Sequence, residues 1–176
     1  METNPVLKVI YNRKSVRLYN DDAEVTKEHL EVLMRAAMSA PSARNLQPWA
    51  FIAITNRDTL DKLANGLPYA KMLFRAKAAI VVCGVPDRSG QDSPEGYWVQ
   101  DCSAATQNIL LAAEAIGLGA VWTGVYPRSD RVNVVRDILG IPESAIPLNV
   151  IPIGAPSGVE RPKDKFNADH ILWEGW

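Results

Sequence analysis

The sequence predicts a β-sheet covered by helices, and three observations carry that prediction. Apolar runs of strand length interleave along the chain with segments of helical periodicity, the pattern expected when helices pack on a sheet. Residues 78–85 are apolar without interruption, as a strand buried on both faces must be. Residues 98–116 are helical in pattern and nearly apolar all round, so that helix must be buried on every side. The length of 176 residues fits a single domain over 1–176, since domains usually run about 100–200 residues.

The elements follow in order. The first helix is expected to begin near Asn4 with Pro5 just inside it, where the missing N–H costs nothing. Val6, Leu7, Val9 and Ile10 form its apolar stripe. Thr26 is expected to cap a second helix with Leu30, Leu33, Met34 and Ala37 on one face, stopped by Pro41. Residues 50–54 read as a buried strand that Trp49 leads into, and 58–65 as a short helix ended by Gly66. After the strand at 78–85, the long helix at 98–116 ends at Gly117 and Gly119. Residues 121–125 read as a third strand. Ser129 or Asp130 caps a helix through Leu139 that ends at Gly140, and 148–153 read as a fourth strand. The tail 156–176 is polar, contains Pro162 and finishes on Ile171, Leu172, Trp173 and Trp176. That apolar end docks either on its own subunit or on a partner, and the long helix is covered either within one subunit or by a second one.

Composition narrows the function classes. The net charge is −1 and no polybasic run occurs, so neither nucleic acid nor an anionic membrane is an expected partner. No run of about 18 apolar residues suggests a membrane span, and the opening METNPVLKVIYNRKS carries no leader pattern. Cys83 and Cys102 form no CxxC pair and read as buried free thiols, which fits a cytoplasmic location. The histidines, His29 and His170, stand far apart, so no metal site is expected; His29 reads as a solvated helix residue. Gly117-Leu118-Gly119 lacks the third glycine of a dinucleotide fingerprint.

Four segments carry chemistry. Arg13-Lys14-Ser15-Val16-Arg17 puts three cations and a hydroxyl within five residues, a set that suits a phosphate, although cations at a helix end also suit its dipole. Pro41-Ser42-Ala43-Arg44-Asn45-Leu46-Gln47-Pro48-Trp49 offers a hydroxyl, two amides and a guanidinium, which suit a flat heterocycle or equally a loop bonded to itself. Trp122-Thr123-Gly124-Val125-Tyr126-Pro127 puts a glycine at a strand end, where a ligand can approach the backbone. Arg161-Pro162-Lys163-Asp164-Lys165-Phe166 is a second cationic cluster.

Together and in this order the segments resemble the FMN-dependent nitroreductase family, the NAD(P)H-dependent nitro, quinone and flavin reductases. Residues 13–17 resemble its Arg-x-Ser-x-Arg/Lys element, and 41–49 its Pro-Ser-x-x-Asn-x-Gln-Pro-Trp signature. Residues 101–119 resemble its Ala- and Leu-rich central helix ending in Gly-Leu-Gly, and 162–165 its C-terminal basic pair. The resemblance spans nearly the whole chain. It implies an α+β fold with a mixed, mainly antiparallel sheet flanked by helices. It also implies an intertwined homodimer, with the long helix as interface core and 156–176 as an arm over the partner.

By the same resemblance, Arg13, Ser15, Lys163 and Lys165 bind the phosphate and ribityl chain of noncovalent FMN, with Lys14 assisting. Arg17 lies toward the pyrimidine edge of the flavin. Ser42, Ala43 and Asn45 reach it from the other subunit, Gln47 supports their loop, and the Thr123–Gly124 backbone faces flavin N5. The implied reaction takes hydride from NADH or NADPH and reduces a small oxidised acceptor, a nitroaromatic, quinone or similar molecule, by a ping-pong scheme. The flavin carries that chemistry, so no side-chain acid or base is expected. Pocket candidates are Arg44 in the signature loop and the aromatics Tyr69, Phe74, Tyr97 and Trp98. The chain is short for the family and lacks the longer insertions that shape the pocket in some members. Alternatives on the same fold are a reductive dehalogenase, a flavin-processing relative and a non-catalytic FMN-binding protein.

Overall fold

The computed structural model describes residues 4–88 and 96–176. The helices are α1 (Pro5–Asn12), α2 (Lys27–Met38), α3 (Arg57–Gly66), α4 (Trp98–Ala115) and α5 (Ser129–Leu139). The strands are β1 (Trp49–Ile54), β2 (Ala78–Gly84), β3 (Gly119–Ala120), β4 (Thr123–Gly124) and β5 (Ile146–Gly154). They form one sheet in the order β1-β2-β5-β3, with β4 also on β5. Every pairing among the described strands is antiparallel. The expected sheet with flanking helices is therefore present, but its expected mixed character is not: no parallel pair occurs among the described residues.

Local chemistry explains most helix ends. Asn4 Oδ1 accepts the N–H groups of Val6 and Leu7 at 2.9 and 3.2 Å, with Pro5 in the first turn. Thr26 Oγ1 accepts the His29 N–H, and His29 Nδ1 accepts the Thr26 N–H, at 3.3 and 3.2 Å. His29 is thus half of a reciprocal cap in the position usually held by Glu or Gln, not merely a solvated residue. Helix α2 ends at Met38, ahead of Pro41. Helix α5 has Arg128 at its N-cap and no side-chain cap, so neither Ser129 nor Asp130 caps it. Gly140 closes that helix at φ 63°, a conformation cheap only for glycine.

Gly66 does not stop α3 but sits in its last turn. A Cβ there would lie 2.6 Å from Val134 Cγ1, so the glycine marks where α3 and α5 press together.

β2 organises the core. Successive side chains of a strand point to opposite faces. Ala79, Val81 and Cys83 join one apolar cluster with α3 and α5 residues such as Leu60, Leu63 and Val135. Ala78, Ile80 and Val82 join another with Leu33 of α2 and Ile109 of α4. The sheet is therefore filled between two helical layers, which is why 78–84 had to be apolar throughout. Both cysteines lie in these layers as free thiols.

The strand expected at 121–125 is broken. β3 and β4 continue one register against β5, Gly119 opposite Gly154 and Thr123 opposite Val150. The same register puts Val121 opposite Pro152, which has no N–H to give to a ladder. β5 itself is longer than expected and runs through Pro147 and Pro152.

Residues 13–19 lie against the end of this sheet. Val16 donates its N–H to the Ala120 carbonyl at 3.0 Å and is buried on Gly119, where a Cβ would lie 2.6 Å from Val16 Cγ1. Tyr19 is buried, and its hydroxyl lies 3.0 Å from the Val16 carbonyl and 3.1 Å from that of Pro152. With Val16 held inward, the flanking Ser15 and Arg17 are held outward.

Candidate functional site

Two clefts share one residue, Arg17. The first, of about 910 Å³, lies between the end of α1, the 13–17 segment and the tail. Its walls include Arg13, Lys14, Ser15 and Arg17 from one side and Glu160, Arg161, Lys163, Asp164 and Lys165 from the other. Folding thus brings together two basic segments some 145 residues apart. The second cleft, of about 450 Å³, is lined by Arg17, Tyr69, Lys71, Met72, Trp122, Thr123, Gly124 and Arg131, among others.

Glu160 fastens the first cleft. Its Oε1 accepts the N–H groups of Arg17 and Leu18 at 2.8 and 2.9 Å. Burial pushes this carboxyl up, but the Arg17 and Leu18 donors outweigh it and hold the group below the usual carboxylate range. Lys14 is partly spent elsewhere: its ammonium pairs with Glu114 of α4 at 3.0 Å. Arg13, Arg17, Lys163 and Lys165 form no salt bridge with a carboxylate among the described residues.

Gly124 shapes the second cleft. A Cβ built there would meet nothing within 4 Å, and its φ is not in the left-handed region. Neither packing nor backbone conformation demands a glycine, whereas a ligand approaching the backbone would. Thr123 Oγ1 donates to the Val150 carbonyl at 2.5 Å, which leaves the backbone of this pair as the surface on offer.

The loop of the second segment stands apart. Ser42 Oγ accepts the Gln47 N–H, and Gln47 Nε2 donates to Asn45 Oδ1, both at 3.0 Å. Ala43 donates its N–H to Asp101 of α4 at 3.0 Å. Arg44, Asn45 and Gln47 have φ of 53°, 57° and 51°, a region that costs a non-glycine residue about 1 kcal/mol. The loop is held in a specific, strained shape, yet none of its residues lines either cleft within one chain.

The pocket candidates separate. Tyr69 lines the second cleft, whereas Phe74 and Tyr97 are exposed but line neither. Trp98 is 4% exposed, with its ring over Gly84 and edge-on to Tyr126 at 4.8 Å. It is a core residue, since α4 turns it into the sheet. Trp49 is buried as well. Sequence reasoning missed Tyr11, Glu160, Lys71 and Arg131, which line the clefts. The first two adjoin recognised basic segments; Lys71 and Arg131 sit in no motif.

An antiparallel sheet between helical layers, with two joined clefts rich in cations at one end, defines the class: an α+β protein with a composite cationic cleft. The comparisons agree. The nitroreductase-family model matches residues 10–68 and 64–155. A protein of Archaeoglobus fulgidus, provisionally named NADH dehydrogenase/NAD(P)H nitroreductase, is 46% identical over 173 residues, covering 97% of this chain and 98% of its own. A crystal structure from Parabacteroides distasonis, with the same provisional name, shares 51% identity and superposes with a TM-score of 0.92 over 98% of this chain and 99% of that one. A provisionally assigned nitroreductase from Desulfovibrio desulfuricans, solved in complex with FMN, is 30% identical, with a TM-score of 0.82 over 98% of both chains. The chain belongs to the nitroreductase family.

Proposed function

We propose that this protein is an FMN-dependent oxidoreductase that takes hydride from NADH or NADPH and reduces a small oxidised organic molecule such as a nitroaromatic or quinone. The observation that carries the reading is the convergence of the 13–17 and 161–165 cations on one cleft that shares Arg17 with the Gly124 cleft. The donor set fits the cofactor. The first cleft offers Arg, Lys and hydroxyl donors to a phosphate, and the second offers open space over the Thr123–Gly124 backbone to a flat ring. The FMN-bound relative from Desulfovibrio desulfuricans supports the same assignment.

Bound FMN supplies the two-electron chemistry. In this reading Arg13, Ser15, Lys163 and Lys165 hold its phosphate and ribityl chain. Lys14 contributes through its backbone rather than its charge, since its ammonium is paired with Glu114. Arg17, at the junction of the clefts, stabilises negative charge at the pyrimidine edge. The Thr123–Gly124 backbone would lie against the flavin ring on the N5 side, and donor and acceptor would use the second cleft in turn, a ping-pong scheme.

The reading includes a cytoplasmic homodimer in which 156–176 reaches over the partner and Ser42, Ala43, Asn45 and Gln47 complete the partner's site. Exposed apolar surface supports this. α1 has no buried residue and presents Val6 and Tyr11, and the tail presents Trp173 at 85% exposure. Among the described residues no helix is long and apolar enough to cross a membrane.

The deciding experiment is the visible spectrum of the purified protein, followed by release and identification of any chromophore. Noncovalent FMN that bleaches with NADH or NADPH is the expected result. A colourless protein that takes up no FMN on titration would refute the proposal.

A further inference from the structure

We infer that the second cleft selects an electron acceptor carrying a carboxylate or comparable anionic group on a flat ring, and that Arg131 reads that charge. The inference rests on the oxidoreductase reading above and adds the substrate class.

The charge pattern carries the argument. Arg17, Lys71 and Arg131 line the cleft, and no acidic side chain does. Two cations on the same stretches of chain but outside the cleft have acidic partners: Arg75 pairs with Asp21 at 2.6 Å, and Arg128 contacts Asp130 at 3.4 Å. Arg17, Lys71 and Arg131 form no such pair among the described residues. Lys71 donates to the Ala64 carbonyl at 2.8 Å, which fixes its ammonium without cancelling its charge. Arg17 and Lys71 border the space proposed for the cofactor's ring, so Arg131, on the Tyr69 side, is the cation left to the acceptor.

Arg131 is also pre-organised. Its Nη1 donates to the Gly124 carbonyl at 3.1 Å, and its guanidinium carbon lies 5.2 Å from the centroid of the Tyr69 ring. Its Nε is buried with no partner. A guanidinium has five N–H donors, and one is spent on Gly124. A fork held at one end and resting over a ring loses little freedom when it grips a carboxylate. Tyr69 and Trp122, both exposed where they line the cleft, suit the aromatic part of such a molecule.

The test compares 4-nitrobenzoate with 4-nitrobenzyl alcohol in the FMN-loaded protein. Each two-electron turnover converts the nitro compound, NAD(P)H and one proton to the nitroso compound, NAD(P)+ and water. The expected ratio of kcat/KM, carboxylate over alcohol, is about tenfold or more, the scale of a charge-assisted hydrogen bond. Arg131→Gln brings that ratio near one, and Arg131→Lys, which keeps the charge, restores most of it. Binding of unreactive benzoate by calorimetry, which needs no turnover, weakens by about tenfold in Arg131→Gln. A ratio near one in the unmodified protein, or a ratio unmoved in Arg131→Gln, overturns the inference. So does a shift in NADPH over NADH preference without a shift in the acceptor ratio, which would assign the cations to the donor's phosphates. If no acceptor is reduced at all, the oxidoreductase reading fails, and benzoate binding alone decides the role of Arg131.

Discussion

Glu160 accepts the backbone N–H of Arg17 at 2.8 Å, so the tail is fastened to the N-terminal basic segment at the residue the two clefts share. This contact, with its neighbour to Leu18, converts two solvated basic stretches into opposite walls of one cleft. Removing it should be felt as lost organisation of the walls. We expect Glu160→Ala to weaken FMN binding by about 1 kcal/mol, roughly fivefold, read by quenching of flavin fluorescence.

The same carboxyl makes the cleft pH-dependent. Its value in the folded protein lies below the ordinary one. The stabilisation is therefore present above the unfolded value, about 4.3, and is lost as pH falls through the lower folded value. Proteolysis of the tail should quicken at the acid end of that window in the unmodified protein. In Glu160→Gln the acid-dependent change should be absent; an identical pH profile in both would remove Glu160 from this role.

Arg13 is placed to test the cofactor assignment directly. Arg13→Ala should weaken FMN binding by about 1.5–3 kcal/mol, the range for a hydrogen bond to a charged group. Unchanged affinity in a fluorescence titration would take Arg13 out of the site.

Gly124 separates room for the fold from room for a ligand. A Cβ there meets nothing within 4 Å, so Gly124→Ala should fold normally and gain up to about 1 kcal/mol through a less flexible unfolded chain. That methyl stands in the second cleft, and FMN affinity should fall by about tenfold if a ring lies on this backbone. Thermal unfolding of the apoprotein and FMN titration read the two effects independently.

Gly84 is the contrasting glycine. A Cβ there would lie 2.0 Å from the Trp98 ring, and the ring has no space to retreat because it is buried. Gly84→Ala should destabilise the fold by about 1–3 kcal/mol, as overpacking does, measured by urea denaturation.

The thiols supply a prediction at alkaline pH. Burial pushes both Cys83 and Cys102 up to about 12 from an ordinary 9.0. Their neutral forms therefore favour the folded state fully below about pH 9, and that contribution declines as pH rises toward 12. At pH 8 a disulfide exchange reagent should label neither thiol in the native protein and both after unfolding.

The sequence by itself determined what depends on neighbours along the chain. The caps at Asn4 and Thr26, the stop at Gly140 and the two-faced burial of 78–84 are readable because a few adjacent residues set backbone conformation and periodicity. The His29 cap was readable too, at the usual three-residue spacing, but in an unusual residue type. The basic segments and the strained loop were likewise visible as motifs, and the family could be recognised from their order. Only the tertiary structure decided what lies opposite what. Pro152 interrupts the pairing of 119–124 across a register that no local pattern encodes, and Val134 presses on Gly66 from another helix. Trp98 goes to the core because α4 lies on the sheet. Glu160, Lys71 and Arg131 acquire their positions through contacts between segments far apart in the chain, where charge and hydrogen bonding depend on distance in space and leave no mark in sequence spacing.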